Sequence, residues 1–154
     1  MLVKDIMVSK VISVKPNTPL SMVAKLISQF RISGMPVLNT NKELVGVLSE
    51  KDVIRAMYPS YDELIQDSLA SRDFEGLEDR YQDLWQVEAQ NVMTKNVISV
   101  DPQTPVLKAG SIMIRKGIRR LPVMDKESNA LVGVITLGDI HQALFSQQYL
   151  NLED

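Results

Sequence analysis

Residues 7–19, MVSKVISVKPNTP, reappear 86 positions later as residues 93–105, MTKNVISVDPQTP, and eight of the 13 aligned residues are identical. The match continues, with one inserted residue, through Pro36-Val37 on Pro122-Val123 and Leu44 to Val47 on Leu131 to Val134. Six of the seven prolines lie in matched pairs. Because chance similarity would not keep prolines in register, the chain contains two homologous repeats.

Each repeat shows the same order of local patterns. A β-prone run (Val11 to Val14, or Val97 to Val100) precedes a Thr-Pro pair, where Thr is expected to cap a helix that begins at Pro. A helical apolar pattern, a glycine near the helix exit (Gly34 or Gly117) and two apolar runs around a polar turn follow. We therefore predict an α/β fold of two β-α-β-β-α repeats. Since about 55 residues bury too little core alone, we expect the repeats to pack sheet to sheet with pseudo-two-fold symmetry.

The two repeats are separated by a segment of different composition. We place repeat 1 at residues 1–57, a helical insert at 58–88, repeat 2 at 89–145 and a C-terminal tail at 146–154. The insert has nine acidic and two basic residues, so its formal charge is −7 and the rest of the chain carries +5. Amphipathic helices are indicated by the spacing of its apolar residues and by a capping-box pattern at its start: Phe74, Leu77, Tyr81 and Leu84-Trp85, and Ser60 with Glu63. The insert is either a connector packed on the repeats or an acidic docking surface that carries Trp85.

Composition excludes several classes of function. The chain of 154 residues has no cysteine and one histidine, which excludes disulfides, Cys-based zinc sites and a multi-His metal cluster. It has no apolar run of membrane-spanning length and no secretory leader, so we expect a cytoplasmic protein. A net charge of −2 argues against nucleic-acid binding. His141 is expected on a helix surface and the acidic pair Glu78-Asp79 on a solvated face. We predict no catalytic residue, no metal site and no enzyme.

The third apolar run of each repeat ends in a hydroxyl residue that is followed three residues later by aspartate. The two stretches are Gly46-Val-Leu-Ser49-Glu-Lys-Asp52 and Gly133-Val-Ile-Thr136-Leu-Gly-Asp139. At a helix start the free N–H groups suit a phosphate, and an aspartate there can accept hydrogen bonds from ribose hydroxyls. A purely structural capping box is the alternative interpretation. Recurrence of the pattern in both repeats favours a functional role.

These motifs together resemble a known family. The V-I-S-V-x-P-x-T-P openings, the Ile32 to Val37 and Ile118 to Val123 segments, and the two G-h-h-[S/T]-x-x-D endings are similar to a pair of CBS domains, the tandem unit also called a Bateman module. Such pairs bind adenosine-type ligands in the cleft between repeats and act as regulatory sensors, not catalysts. The resemblance implies AMP, ADP, ATP or S-adenosylmethionine as ligand, with or without Mg²⁺, and no required cofactor. It also implies a homodimer and an unknown regulated partner protein.

In this family one site combines the hydroxyl and Asp of one repeat with the first strand and the x-x-L-P-V segment of the other. Carried over to this chain, site A comprises Ser49, Lys51, Asp52, Met93, Ile98, Ile118, Arg119 and Arg120. Site B comprises Met7, Ile12, Ile32, Ser33, Gly34, Met35, Thr136, Gly138 and Asp139. The four isoleucines are expected to sandwich the purine as well as to pack in the core.

The two sites implied by the resemblance differ in charge. Site A has three cations, Lys51, Arg119 and Arg120, which suit a di- or triphosphate. Site B has no cation in the matching segment and suits a weakly charged adenosyl ligand or none. A solvated arginine pair at a helix end is the alternative interpretation of Arg119-Arg120. The sequence therefore predicts a regulatory module that binds adenine nucleotides; the alternative is a ligand-independent interaction or oligomerisation module that uses the acidic insert.

Overall fold

The computed structural model describes residues 1–58 and 81–150 of the chain. In chain order the elements are α1 (Val3–Ile6), α2 (Leu20–Phe30), β1 (Gly34–Leu38), β2 (Leu44–Ser49), α3 (Glu50–Met57), a 3₁₀ helix (Ala89–Asn91), α4 (Val106–Lys116), β3 (Arg120–Met124), β4 (Leu131–Thr136) and α5 (Leu137–Leu150). Each repeat thus contributes helix, strand, strand and helix in the same order, which confirms the predicted α/β class. No helix in the described ranges is long and apolar enough to cross a bilayer.

The four strands form two antiparallel hairpins with the same register. Gly34 pairs with Ser49 in the first hairpin, and Arg120 pairs with Thr136 in the second. Both hairpins shift register one residue before their first strand ends. The first hairpin turn is closed by Asn39, whose Oδ1 accepts hydrogen bonds from the Asn41 and Glu43 N–H groups at 3.0 and 2.9 Å. Each hairpin therefore delivers its last residue to the start of the following helix.

The predicted first strand of each repeat is much shorter than the sequence suggests. Within the run from Val11 only Val14 pairs, by a parallel bridge to Val37, and Val100 makes the equivalent bridge to Val123. The chain turns directly after Val14, since the Thr18 N–H donates to the Lys15 carbonyl at 3.0 Å. A β-prone run next to a proline turn thus supplies one edge bridge instead of a strand.

The helix boundaries also correct the prediction in detail. Helix α2 begins at Leu20 with Pro19 as N-cap, because the Thr18 hydroxyl accepts a hydrogen bond from the Lys15 N–H at 3.0 Å and closes the preceding turn instead. At the other end, Gly117 ends α4 in the left-handed conformation (φ 64°), as glycine favours. In repeat 1 that position is taken by Arg31 (φ 51°), and Gly34 is the first residue of β1.

The described contacts divide the chain into two compact units, each with its own core. Unit 1 contains residues 1–12 and 98–154, and unit 2 contains residues 13–97. The buried core of unit 1 comprises Val3, Val100, Val106, Ala109, Met113, Leu121, Val123, Ile135 and Ile140. That of unit 2 comprises Val14, Leu20, Val23, Met35, Val37, Leu48, Val53, Leu84 and Ala89.

Part of the predicted insert belongs to the core of unit 2. Leu84 is buried there and Trp85 packs against it. The backbone carbonyls of Val87 and Trp85 accept hydrogen bonds from the first two N–H groups of α2, those of Leu20 and Ser21, at 2.9 and 3.2 Å. The insert end therefore acts as a packed connector. The predictions for Ser60, Glu63, Phe74, Leu77 and Glu78-Asp79 lie outside the described residues.

The opening segments of the repeats, defined as residues 1–8 and 87–94, make equivalent backbone hydrogen bonds. In unit 1 the Val3 N–H donates to the Thr104 carbonyl at 2.8 Å, and Val8 exchanges two bonds with Val134. In unit 2 the Ala89 N–H donates to the Thr18 carbonyl at 2.8 Å, and Thr94 exchanges two bonds with Val47. Each unit therefore contains the opening segment of one repeat together with the helices and hairpin of the other.

Candidate functional site

The hydroxyl–aspartate pair of unit 2 forms a capping box at the start of α3. Strand β2 ends at Ser49, which is the N-cap of the helix. Oδ2 of Asp52 accepts hydrogen bonds from the Ser49 N–H and Oγ–H, both at 2.9 Å, and the Asp52 N–H donates to the Ser49 Oγ at 3.2 Å. Both residues are half-buried. The pair thus holds the helix start in one geometry.

The equivalent pair of unit 1 has the same geometry at the start of α5. Oδ2 of Asp139 accepts from the Thr136 N–H at 2.9 Å and from its hydroxyl at 2.7 Å, and the Asp139 N–H donates to the Thr136 Oγ1 at 3.1 Å. The structural interpretation of the motif is therefore present in both repeats. Among the described residues these carboxylate bonds all use Oδ2, so Oδ1 is left to accept from a ribose hydroxyl, and capping does not exclude ligand binding.

Two methionines of the opening segments lie against the strands that lead to these pairs. A Cβ placed on Gly133 would lie 2.8 Å from Sδ of Met7, and a Cβ on Gly46 would meet Sδ and Cγ of Met93. The structure therefore brings Met7 to the strand that ends at Thr136, and Met93 to the strand that ends at Ser49. Sequence reasoning missed both glycines as contact points. The available signal was glycine inside an apolar strand, which often marks a close approach.

The x-x-L-P-V segments lie beside the hydroxyl residues of their own repeats. In unit 1 Arg120 pairs with Thr136, and the carbonyl of Arg119 accepts a hydrogen bond from the Leu137 N–H at 2.9 Å. In unit 2 Gly34 pairs with Ser49, and the carbonyl of Ser33 accepts from the Glu50 N–H at 2.9 Å. The combination of each segment with residues of the other repeat stays a prediction.

The remaining site candidates differ in exposure. Ile32 and Ile118 pack against the cores of units 2 and 1. Ile98 is 36% exposed, so its expected role in the core is wrong, while Ile12 is half-buried. Met35 is 1% exposed and belongs to the unit 2 core.

Three further residues lie on helix surfaces. Lys51 and Gly138 are exposed at equivalent positions, each two residues after the hydroxyl that precedes its helix. His141 is exposed on α5, as expected, and stacks on Phe145 with ring centroids 5.8 Å apart. Neither lysine nor histidine is therefore held in the packed interior of a unit.

Comparison with a family model covers both repeats. The model of the CBS domain matches residues 3–59 and 89–146 of this chain. These two segments contain both capping boxes, both hairpins and nearly all of the opening segments described above.

Similar proteins cover almost the whole chain. Uncharacterized protein MJ1426 of Methanocaldococcus jannaschii is 37% identical, over 94% of this chain and 91% of that protein. The structure of CBSX2 in complex with AMP has a TM-score of 0.72 and 25% identity, over 96% of this chain and 98% of that one. The CBS domain pair of MJ0100 in complex with 5′-methylthioadenosine and S-adenosyl-L-methionine has a TM-score of 0.73 and 23% identity, over 96% and 98% of the two chains.

Proposed function

This chain belongs to the CBS-domain family, and we propose that it is a regulatory module that binds an adenine nucleotide and modulates a partner protein. The observation that carries the proposal is the repeated hydroxyl–carboxylate pair, held by identical hydrogen bonds at the start of α3 and of α5. The similarity over nearly the whole chain to CBSX2, which was solved with AMP, supports an adenosyl ligand.

The proposal gives each class of site residue a chemical task. Asp52 and Asp139 accept hydrogen bonds from ribose hydroxyls through Oδ1. The apolar side chains contact the purine: Met7, Met93, Ile12, Ile32, Ile98 and Ile118. Arg119, Arg120 and Lys51 are the cations available for phosphate, since charge-assisted bonds from guanidinium and ammonium groups suit phosphate oxygens. AMP, ADP and ATP are the proposed ligands, S-adenosylmethionine is a further candidate, and Mg²⁺ accompanies the longer phosphates.

Regulation follows from differential affinity. A ligand shifts an equilibrium between two conformations only by as much as it prefers one of them. We propose that the nucleotide stabilises one conformation of a cytoplasmic homodimer and that a separate polypeptide recognises that conformation. Light scattering on the purified chain measures the dimer, and a mass equal to one chain at micromolar concentration would contradict it.

A thermal-shift panel tests the proposal. AMP, ADP, ATP, S-adenosylmethionine and NAD are added separately, with and without Mg²⁺. A ligand at 100 times its Kd stabilises a protein by about 2.7 kcal/mol, and for about 150 residues this raises Tm by about 5–10 °C. The absence of any shift at millimolar concentration overturns the proposal and favours a ligand-independent interaction module.

A further inference from the structure

The two units present the same backbone arrangement around different side chains. The unit 1 group is defined as Arg119, Arg120, Thr136 and Asp139. The unit 2 group is its counterpart in the repeat alignment: Ser33, Gly34, Ser49 and Asp52. In both groups the first residue of the hairpin pairs with the hydroxyl residue, and the residue before it accepts a hydrogen bond from the first helical N–H at 2.9 Å. Any difference in ligand chemistry must therefore come from the side chains.

The side-chain charges of the two groups have opposite sign. In unit 1 two arginines accompany one carboxylate, and the intervening helix residues Leu137 and Gly138 are uncharged. In unit 2 the strand segment has no charge, and the start of α3 carries one cation, Lys51, between two carboxylates, Glu50 and Asp52. The formal charge is +1 around Thr136 and −1 around Ser49.

Partial burial makes this difference effective. Asp52 and Asp139 are half-buried, as is Arg120, while Arg119 is exposed. Interactions between partly buried charges are screened less by salt than those between fully exposed ones. A phosphate dianion is therefore attracted to the unit 1 group and repelled by the unit 2 group, and guanidinium pairs recognise phosphate oxygens with good geometry.

We infer that the unit 1 group binds the phosphorylated adenosyl ligand and that the unit 2 group binds an adenosyl ligand without phosphate. This inference rests on the proposed function and divides its ligands between two chemically unequal groups. It differs from the pairing that the family resemblance implies, in which the arginines act together with Asp52. The β3–β4 register, which sets Arg120 opposite Thr136, is the observation that carries the new assignment.

The arginine side of the assignment is tested with two probes, AMP and adenosine, which differ by the phosphate. Arg119→Ser gives repeat 2 the residue that repeat 1 has at this position, Ser33. Loss of a charge-assisted bond to phosphate is expected to weaken AMP binding about tenfold or more in calorimetry on the full chain. Adenosine binding is expected to stay within about twofold.

A matched control removes a different cation of unit 1. Arg115→Gln takes away an exposed positive charge on α4 and inserts the residue that repeat 1 has at that position, Gln29. AMP affinity is expected to stay within about twofold, because exposed charges outside the group are screened. An Arg119→Ser variant that binds AMP as tightly as the parent, or no more weakly than Arg115→Gln does, overturns the inference.

The aspartates separate the two groups. Asp139→Asn and Asp52→Asn keep an amide oxygen for the capping box and remove the carboxylate charge. We expect Asp139→Asn to weaken AMP and Asp52→Asn to weaken adenosine, each about tenfold, with the other probe little changed. AMP binding that depends on Asp52 alone, or equally on both aspartates, overturns the inference and leaves the proposed function standing. A parent chain that binds neither AMP nor adenosine overturns both.

Discussion

Asp52 and Asp139 each serve a helix through one carboxylate oxygen. Oδ2 closes the capping box with the preceding hydroxyl residue, and the proposed ribose contact uses Oδ1. A substitution at either residue therefore affects stability and binding together, and the two effects need separate measurements.

Removing one capping carboxylate has a defined cost. Asp52→Ala loses the two hydrogen bonds that Oδ2 accepts and is expected to lower the free energy of unfolding by about 1 kcal/mol. Asp52→Asn retains an oxygen acceptor, so its loss is expected to be smaller. Urea unfolding followed by circular dichroism measures both values. Equal stability of Asp52→Ala and the parent would show that the capping box contributes nothing.

Glycine at position 133 leaves the space that Met7 occupies. A Cβ there would lie 2.8 Å from Sδ of Met7 and 3.1 Å from the Val8 carbonyl oxygen. Gly133→Ala is therefore expected to destabilise the protein by about 1–3 kcal/mol, since overpacking forces neighbours to shift.

Gly138→Ala is the matched control for that substitution. Its Cβ would meet nothing closer than Thr136 Oγ1 at 3.6 Å, and the position is helical. Alanine there is expected to raise the free energy of unfolding by up to about 1 kcal/mol. Equal losses of stability in the two variants would contradict the proposed close approach of Met7.

Individual residues show what the sequence could and could not predict. The hydroxyl–aspartate spacing predicted a capping box because all of its bonds join residues three apart. The exposure of Ile98 could not be predicted, because apolarity alone does not tell a core position from an apolar surface position.

The opening segments are the elements that complete the two units. Residues 1–8 supply the buried side chain of Val3 and backbone bonds to Thr104, Pro102 and Val134, all in unit 1. Residues 87–94 supply Ala89 and the equivalent bonds in unit 2. A unit thus needs chain from both repeats for its core.

Val3 provides a direct test of this role. Its side chain is 0% exposed, so Val3→Ala is expected to cost about 2 kcal/mol from lost burial and the cavity that remains. Val8 is 50% exposed, and Val8→Ala is expected to cost less than about 0.5 kcal/mol. Denaturant unfolding compares the two variants. A Val3→Ala variant as stable as Val8→Ala would contradict the packing of α1 in unit 1.

At the element scale, local patterns predicted the helices and hairpins but not their partners. Periodicity and turn residues lie within each repeat, so α2, α4 and both hairpins could be recognised from them. The long-range choice that places residues 1–8 with repeat 2 leaves no local signal. The short α1 was missed for the same reason, since four residues show no period.

For the molecule as a whole, the scarcity of catalytic residues agrees with membership of a family of ligand-binding modules. The net charge of −2 is an average of −7 on residues 58–88 and +5 elsewhere. Within the positive part the charge is again unequal, since the strand segment of repeat 2 carries Arg119 and Arg120 and that of repeat 1 carries none. Internal repetition therefore preserved the backbone arrangement while the charge diverged.

The central claim is that this chain binds an adenine nucleotide. Calorimetric titration of AMP into the full chain at about 0.15 M ionic strength, near physiological screening, tests it most directly. The account predicts saturable binding that Asp139→Asn weakens about tenfold. The absence of binding at millimolar AMP, or equal affinity of the parent and Asp139→Asn, would contradict it.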